Sequence, residues 1–287
     1  MFLHNLTDQT NEAKFPIALF DSGVGGLSVL KELGKNLPNE NVLYFADTLR
    51  IPYGSRKPEE IVRFNKEILQ FLTSLGTKMV IMACGTSSAI AYPIVKDLYK
   101  IPIISLIEPG AKFAVAVTKN KKVGLIATSA TVNSGAYERA IKKIDKDVKI
   151  FSNACPLFVP LIEGGFIETE ETKNVAKEYL LPLIKEGIDT LILGCTHYPH
   201  LIKVLREITG VKVKFVNPAE EAVLQAKNIL ADKKILNPQK SNLSNYQFFV
   251  SGSKNKFYEI GSKFANLDPK NIKKVRILKS GKIEIED

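Results

Sequence analysis

The chain has 287 residues, 45% hydrophobic and 24% charged, which is the balance of a soluble globular protein with one or two domains. No apolar run approaches the ~20 residues of a membrane helix, and the polar opening stretch has no basic-then-apolar signal pattern, so a cytoplasmic protein with no membrane partner is expected. The formal charge of +10 raises nucleic-acid binding, but the lysines are scattered among acids and apolar residues and read as solvated faces, with at most a mild attraction for an anionic substrate; no nucleic-acid partner is expected.

Residues 1–14 read as a loose extension. "PIALF" (16–20) has the length of a buried strand and ends in a polar tip, Asp21 and Ser22, within "DSGVGG". That cluster lacks both the lysine of a Walker loop and the glycine spacing of a dinucleotide fingerprint, so it reads as a tight turn presenting Asp21 and Ser22. A helical pattern over 26–37 precedes a strand at 41–46, and "PYG" (52–54) has turn composition. A long helical pattern (58–76) leads to the strand "KMVIMA" (78–83), which stops at Cys84. Further strands are expected at 101–106, 122–127, 148–153, 189–194 and 212–216, with helices at 134–144, 172–187 and 199–210. Thr128, Ser129 and Thr131 suit a helix cap. Continuous apolar strands alternating with helices mean an α/β protein with parallel sheets covered on both faces.

The order suggests a duplication. "IALFDS" matches "VGLIATS", and "VIMACGT" matches "LILGCTH"; Asp21 to Thr128 is 107 positions and Cys84 to Cys195 is 111. We expect two similar doubly wound domains with the active site in the cleft between them. The first would be 1–106 plus 217–287, with the tail, including "YQFFVSGSK", returning to it; the second would be 107–216. Ligands of such sheets bind outside the carboxyl ends of the strands.

A lone buried cysteine is most often an apolar filler, and Cys155, followed by proline, is read so. Cys84 and Cys195 differ: each ends a strand in a related half and precedes a helix start, a setting expected to lower a thiol's pKa. His197 beside Cys195 leaves a cysteine hydrolase open. Two opposed thiols suit another task, in which one removes a proton from a carbon and the other returns one to its far face. Three cysteines and three histidines without zinc-ligand spacing argue against a disulfide scaffold or a metal site. His4 and His200 are read as solvent-facing.

"ALFDSGVGGLSVL" (18–30), "IPYGSR" (51–56), "MACGTSSA" (82–89), "IEPGA" (107–111), "ATSATVNSGAY" (127–137), "CPLFVPLIEGG" (155–165) and "LGCTHYPHL" (193–201) stand in the order found in glutamate racemases. The chain therefore resembles the cofactor-independent aspartate/glutamate racemases over most of 16–216. The resemblance implies a second α/β domain inserted in the first, no cofactor (neither pyridoxal phosphate nor a metal), a homodimer, and D-glutamate supplied for peptidoglycan. By position it makes Cys84 and Cys195 the two acid/base residues, with Asp21 assisting Cys84, His197 partnering Cys195, and Glu163 beside Cys195. Substrate-binding positions implied are Asp21, Ser22, Pro52, Tyr53, Gly54, Gly85, Thr86, Thr128, Thr131, Thr196 and His197. The family usually reads Cys-Asn-Thr where this chain has Cys84-Gly85-Thr86, so a Gly85→Asn variant is expected to bind substrate more tightly. "CTH" after the second cysteine favours glutamate; aspartate or another acidic amino acid, and a non-catalytic two-lobed amino-acid binder, remain as alternatives.

Overall fold

A computed structural model describes residues 12–238 and 246–286. Its strands in chain order are β1 (Ile17–Asp21), β2 (Val42–Ala46), β3 (Met79–Met82), β4 (Ile103–Ile104), β5 (Lys122–Ala127), β6 (Lys149–Ala154), β7 (Thr190–Leu193), β8 (Lys214–Val216), β9 (Tyr246–Val250), β10 (Ile272–Ile277) and β11 (Ile283–Ile285). They form two sheets, ordered β11-β10-β9-β2-β1-β3-β4 and β6-β5-β7-β8. The order β2-β1-β3-β4 is repeated strand for strand in β6-β5-β7-β8. All pairs in these two sets are parallel.

Three differences from the expected pattern stand out. The tail after residue 217 adds β9, β10 and β11 to the first sheet on its β2 edge, and the difference there is β11, which runs antiparallel where parallel pairing is expected. The apolar run at 101–106 supplies only two strand residues. Helices also form where none is expected, at Ile107–Val117, Pro218–Asp232 and Lys254–Gly261.

Side chains alternate across each sheet, as a two-residue period requires. Ile17 and Leu19 face the helices Leu27–Asn36 and Pro218–Asp232, while Ala18 and Phe20 face the helix Pro58–Ser74. In the second sheet Ile126, Leu191 and Leu193 pack on Glu170–Lys185, and Val123, Leu125 and Ile192 pack on Ile107–Val117 and Ala136–Ile144. The central strands of both sheets are thus sandwiched, and their strand ends are where they can carry polar chemistry. The helix Ile107–Val117 also packs on Pro218–Asp232 and so ties the halves together.

The described end of the opening segment is anchored. Ala13 is buried, and its carbonyl accepts from Lys78 Nζ at 2.7 Å. Lys78 also donates to the Ile235 carbonyl at 2.9 Å and pairs with Glu40 at 2.6 Å, both side chains being shut off from solvent. Removing one partner of such a pair strands the other charge, at a cost of about 3–5 kcal/mol. Chemical denaturation of Lys78→Met should show a loss of that order; a change below about 1 kcal/mol would mean the pair is not what ties these three segments.

Candidate active site

The strand register builds the site. Phe20 lies opposite Met82, so Asp21 comes level with Ala83, one residue before Cys84. In the second sheet Ile126 lies opposite Leu193, so Ala127 comes level with Gly194, and Thr128 and Cys195 follow. The two cysteines are therefore equivalent, and so are Asp21 and Ala127, and Ser22 and Thr128, one residue away from the sequence pairing of Asp21 with Thr128; these strand ends open onto one cleft of about 400 Å³. That volume is within the range of small-molecule sites. Asp21, Ser22, Pro52, Tyr53, Gly54, Cys84, Gly85, Thr86, Thr128, Glu163, Cys195, Thr196 and His197 all line it. Thr131 does not; it is buried behind Thr128, with the two hydroxyls 2.9 Å apart.

On the Cys84 side, Asp21 Oδ2 accepts from the backbone N–H of Gly23 at 3.0 Å and of Gly26 at 3.1 Å. The Tyr44 hydroxyl holds the same loop through the Gly23 carbonyl at 2.9 Å. Burial pushes the Asp21 carboxyl up, against the charge of His197 and the donors around it, which include Cys84. Cys84 caps the six-residue helix Gly85–Ile90. The helix start does not lower its pKa as the sequence suggests. Burial and the Asp21 charge push the Cys84 thiol up to about 12, outweighing donation from Ser87.

On the Cys195 side a chain of three groups is formed. Cys195 Sγ is 3.8 Å from His197 Nδ1, and His197 Nε2 is 3.0 Å from Glu163 Oε1. Burial alone would lower the His197 pKa, but the Cys195 sulfur and the Glu163 carboxylate more than offset it and raise it to about 10. At neutral pH His197 is therefore an imidazolium donating in both directions. Glu163 is supplied by the helix Phe158–Gly164.

Hydroxyls link the two halves. Thr86 and Thr128, one from each half, are 2.9 Å apart. Ser28, on the first helix, donates to the Thr196 carbonyl at 2.8 Å. The Tyr53 hydroxyl is turned away toward Asp47, which also takes Arg50 at 2.6 Å, so the Tyr53–Gly54 stretch meets the cleft mainly with its main chain. Among the described residues no cluster of three or more His, Cys, Asp or Glu side chains could hold a metal, and no helix is long and apolar enough to cross a membrane.

The family model described as Asp/Glu/Hydantoin racemase matches residues 25–226. The chain belongs to this family. The glutamate racemase of Geobacter metallireducens is 45% identical over 86% of this chain and 92% of its own. That of Desulforudis audaxviator is 40% identical over 93% and 100%. Among solved structures, the glutamate racemase of Francisella tularensis, in complex with D-glutamate, superposes with a TM-score of 0.84 at 39% identity, over 91% of this chain and 97% of that one.

Some features of this racemase-family chain depart from the sequence reading. His200 is not solvent-facing: its ring is half-buried, 4.2 Å from that of Phe264, and burial together with the His197 charge pushes it down to about 4. His4 lies outside the described residues. Cys155 is fully buried in the second core yet forms part of the cleft wall with Pro156, Val159 and Pro160. Those wall residues were hidden because an apolar wall carries no polar signature; only the prolines punctuating "CPLFVPLIEGG" mark it. At Gly85 a Cβ would lie 2.3 Å from the Gly194 carbonyl oxygen, so an asparagine there cannot simply add a contact, and the expected gain from Gly85→Asn is withdrawn.

The raised His197 pKa makes stability depend on pH. Folding favours the protonated ring, so its contribution is complete below the free value of 6.5 and is lost as pH climbs through about 10. Thermal melting from pH 6 to 10 should fall more steeply for the natural protein than for His197→Asn; parallel curves would contradict this.

Proposed function

We propose that this protein interconverts L- and D-glutamate, with Cys84 and Cys195 acting on opposite faces of the α-carbon. The observation that carries the reading is that equivalent strand ends bring two thiols, each with its own proton partner, to one cleft of amino-acid size. Asp21 serves Cys84, and the His197–Glu163 pair serves Cys195. The glutamate racemases that match over nearly the whole chain supply the substrate.

The protonation states suit the first step. Cys84 is held as a thiol, while the Cys195 sulfur is the charge partner that keeps His197 protonated. In the proposed step Cys195, acting as the thiolate, takes the α-proton, and Cys84, acting as the thiol, gives its proton to the other face. The reverse reaction starts from the opposite arrangement. Between turnovers the starting state is restored by proton exchange with solvent, relayed to Cys84 through Asp21 and away from Cys195 through the His197–Glu163 pair once His197 has given up a proton. The substrate ammonium donates a hydrogen bond to the Asp21 carboxyl. Thr86 and Thr128, now bonded to each other, turn to one substrate carboxylate, with Thr131 orienting Thr128; Ser22, Thr196 and main-chain N–H groups at Tyr53–Gly54 and Gly85 meet the other. Fixed donors of this kind stabilise the carbanion-like state, and a placed acid or base adds ~10²–10⁴-fold. Supply of D-glutamate for peptidoglycan and action as a cytoplasmic homodimer belong to the same reading and rest on family resemblance.

Cys195, His197 and Glu163 also have the order of a nucleophile, a base and an orienting acid, which favours a thiol hydrolase as the second reading. Polarimetry separates the two. Purified protein should abolish the optical rotation of L-glutamate, and Cys84→Ala and Cys195→Ala should each lower the rate by roughly 10²–10⁴-fold or more. A Cys84→Ala variant with full activity would remove the racemase reading and leave the hydrolase.

A further inference from the structure

The segment Gly194–His197 of the second half rests on two positions of the first half that carry no side chain. A Cβ at Gly25 would lie 2.3 Å from His197 Nδ1 and 2.6 Å from Thr196 Oγ1. A Cβ at Gly85 would lie 2.3 Å from the Gly194 carbonyl oxygen and 3.7 Å from Cys195 Cα. The first contact is with side chains, which can turn. The second is with backbone, which cannot. Gly194 has nowhere to withdraw, because its own Cβ position is within 2.9 Å of Leu125, Ala127 and the Ile126 carbonyl on β5. Gly85 does not have a positive φ, so its own backbone does not require glycine; the neighbouring half does.

We propose that Gly85 is a positioning residue that sets how far the cleft closes: main chain meets main chain between the two catalytic sulfurs, and any side chain at 85 holds the halves apart. Its kinetic consequence rests on the racemase reading; its structural consequence does not. Bringing a Cβ at 85 back to ordinary contact with the Gly194 oxygen requires a parting of about 1 Å, and a displacement of that size in a reacting geometry costs on the order of 10²-fold. The chain has therefore exchanged the asparagine usual in its family for a tighter seam.

Gly85→Ala and Gly85→Asn test this with three readouts on the full chain. Both variants should fold with a melting temperature close to that of the natural protein, because the clash lies between halves that can separate. With D-glutamate at saturation, kcat should fall on the order of 10²-fold, more than KM rises through the displaced Gly85 N–H. Amides of residues 194–198 should exchange hydrogen faster than in the natural protein under the same conditions. Unchanged kcat with unchanged exchange overturns the proposal, and so does failure of Gly85→Ala to fold, which would place the strain within one half. If the natural protein does not racemise glutamate, the racemase reading falls, and the exchange difference still decides the role of Gly85.

Discussion

The structure turns on the meeting of two strand ends. β3 and β7 stop opposite each other, and the main chain of Gly85 approaches that of Gly194 closely enough to exclude even a methyl group. Cys84 and Cys195 are the neighbours of that contact. The cores of both halves place the strands, the parallel register places Asp21 and Thr128 beside them, and the seam fixes how far apart the two thiols stand.

Burial does most of the electrostatic work. A cleft drawn this tightly removes water from groups that prefer to be solvated, and each responds in the direction its chemistry demands. The Cys84 thiol and the Asp21 carboxyl hold their protons more firmly. His197 goes against the usual effect of burial because a sulfur and a carboxylate flank its two nitrogens. The two sides of the cleft thus differ although the strands bearing them are equivalent: one is a carboxyl–thiol pair, the other an imidazolium between a cysteine sulfur and a carboxylate. Asymmetry of this kind lets one side give a proton while the other takes it.

Much of this was legible in the sequence. Short apolar runs marked β1, β2, β3, β5, β6 and β7, and the paired motifs around Cys84 and Cys195 revealed the repeat, because strand-end chemistry is written in consecutive residues. The rest depends on contacts between distant segments. The helix Ile107–Val117 is mostly apolar or small, with Pro109 and Gly110 near its start and only Glu108 and Lys112 as charged residues on its exposed face, so its sequence lacks the regular polar stripe that betrays a surface helix. His200 looked like part of an exposed pair because its partner, Phe264, lies far along the chain. The thiol pKa of Cys84 could not be read from its place before a helix, since a six-residue helix competes there with complete burial and a neighbouring carboxylate. Gly85 read as a lost amide; only its distance to Gly194 shows that it is also a steric requirement.

In the proposed reaction two separate groups handle the proton, one on each face of the carbon. The most direct measurement is the isotopic content of both enantiomers early in the conversion of L-glutamate in D₂O. The D-glutamate formed should carry deuterium at the α-carbon, while the remaining L-glutamate still carries hydrogen. D-Glutamate that retains the original α-hydrogen would mean a single group moves the proton from face to face, and would contradict it.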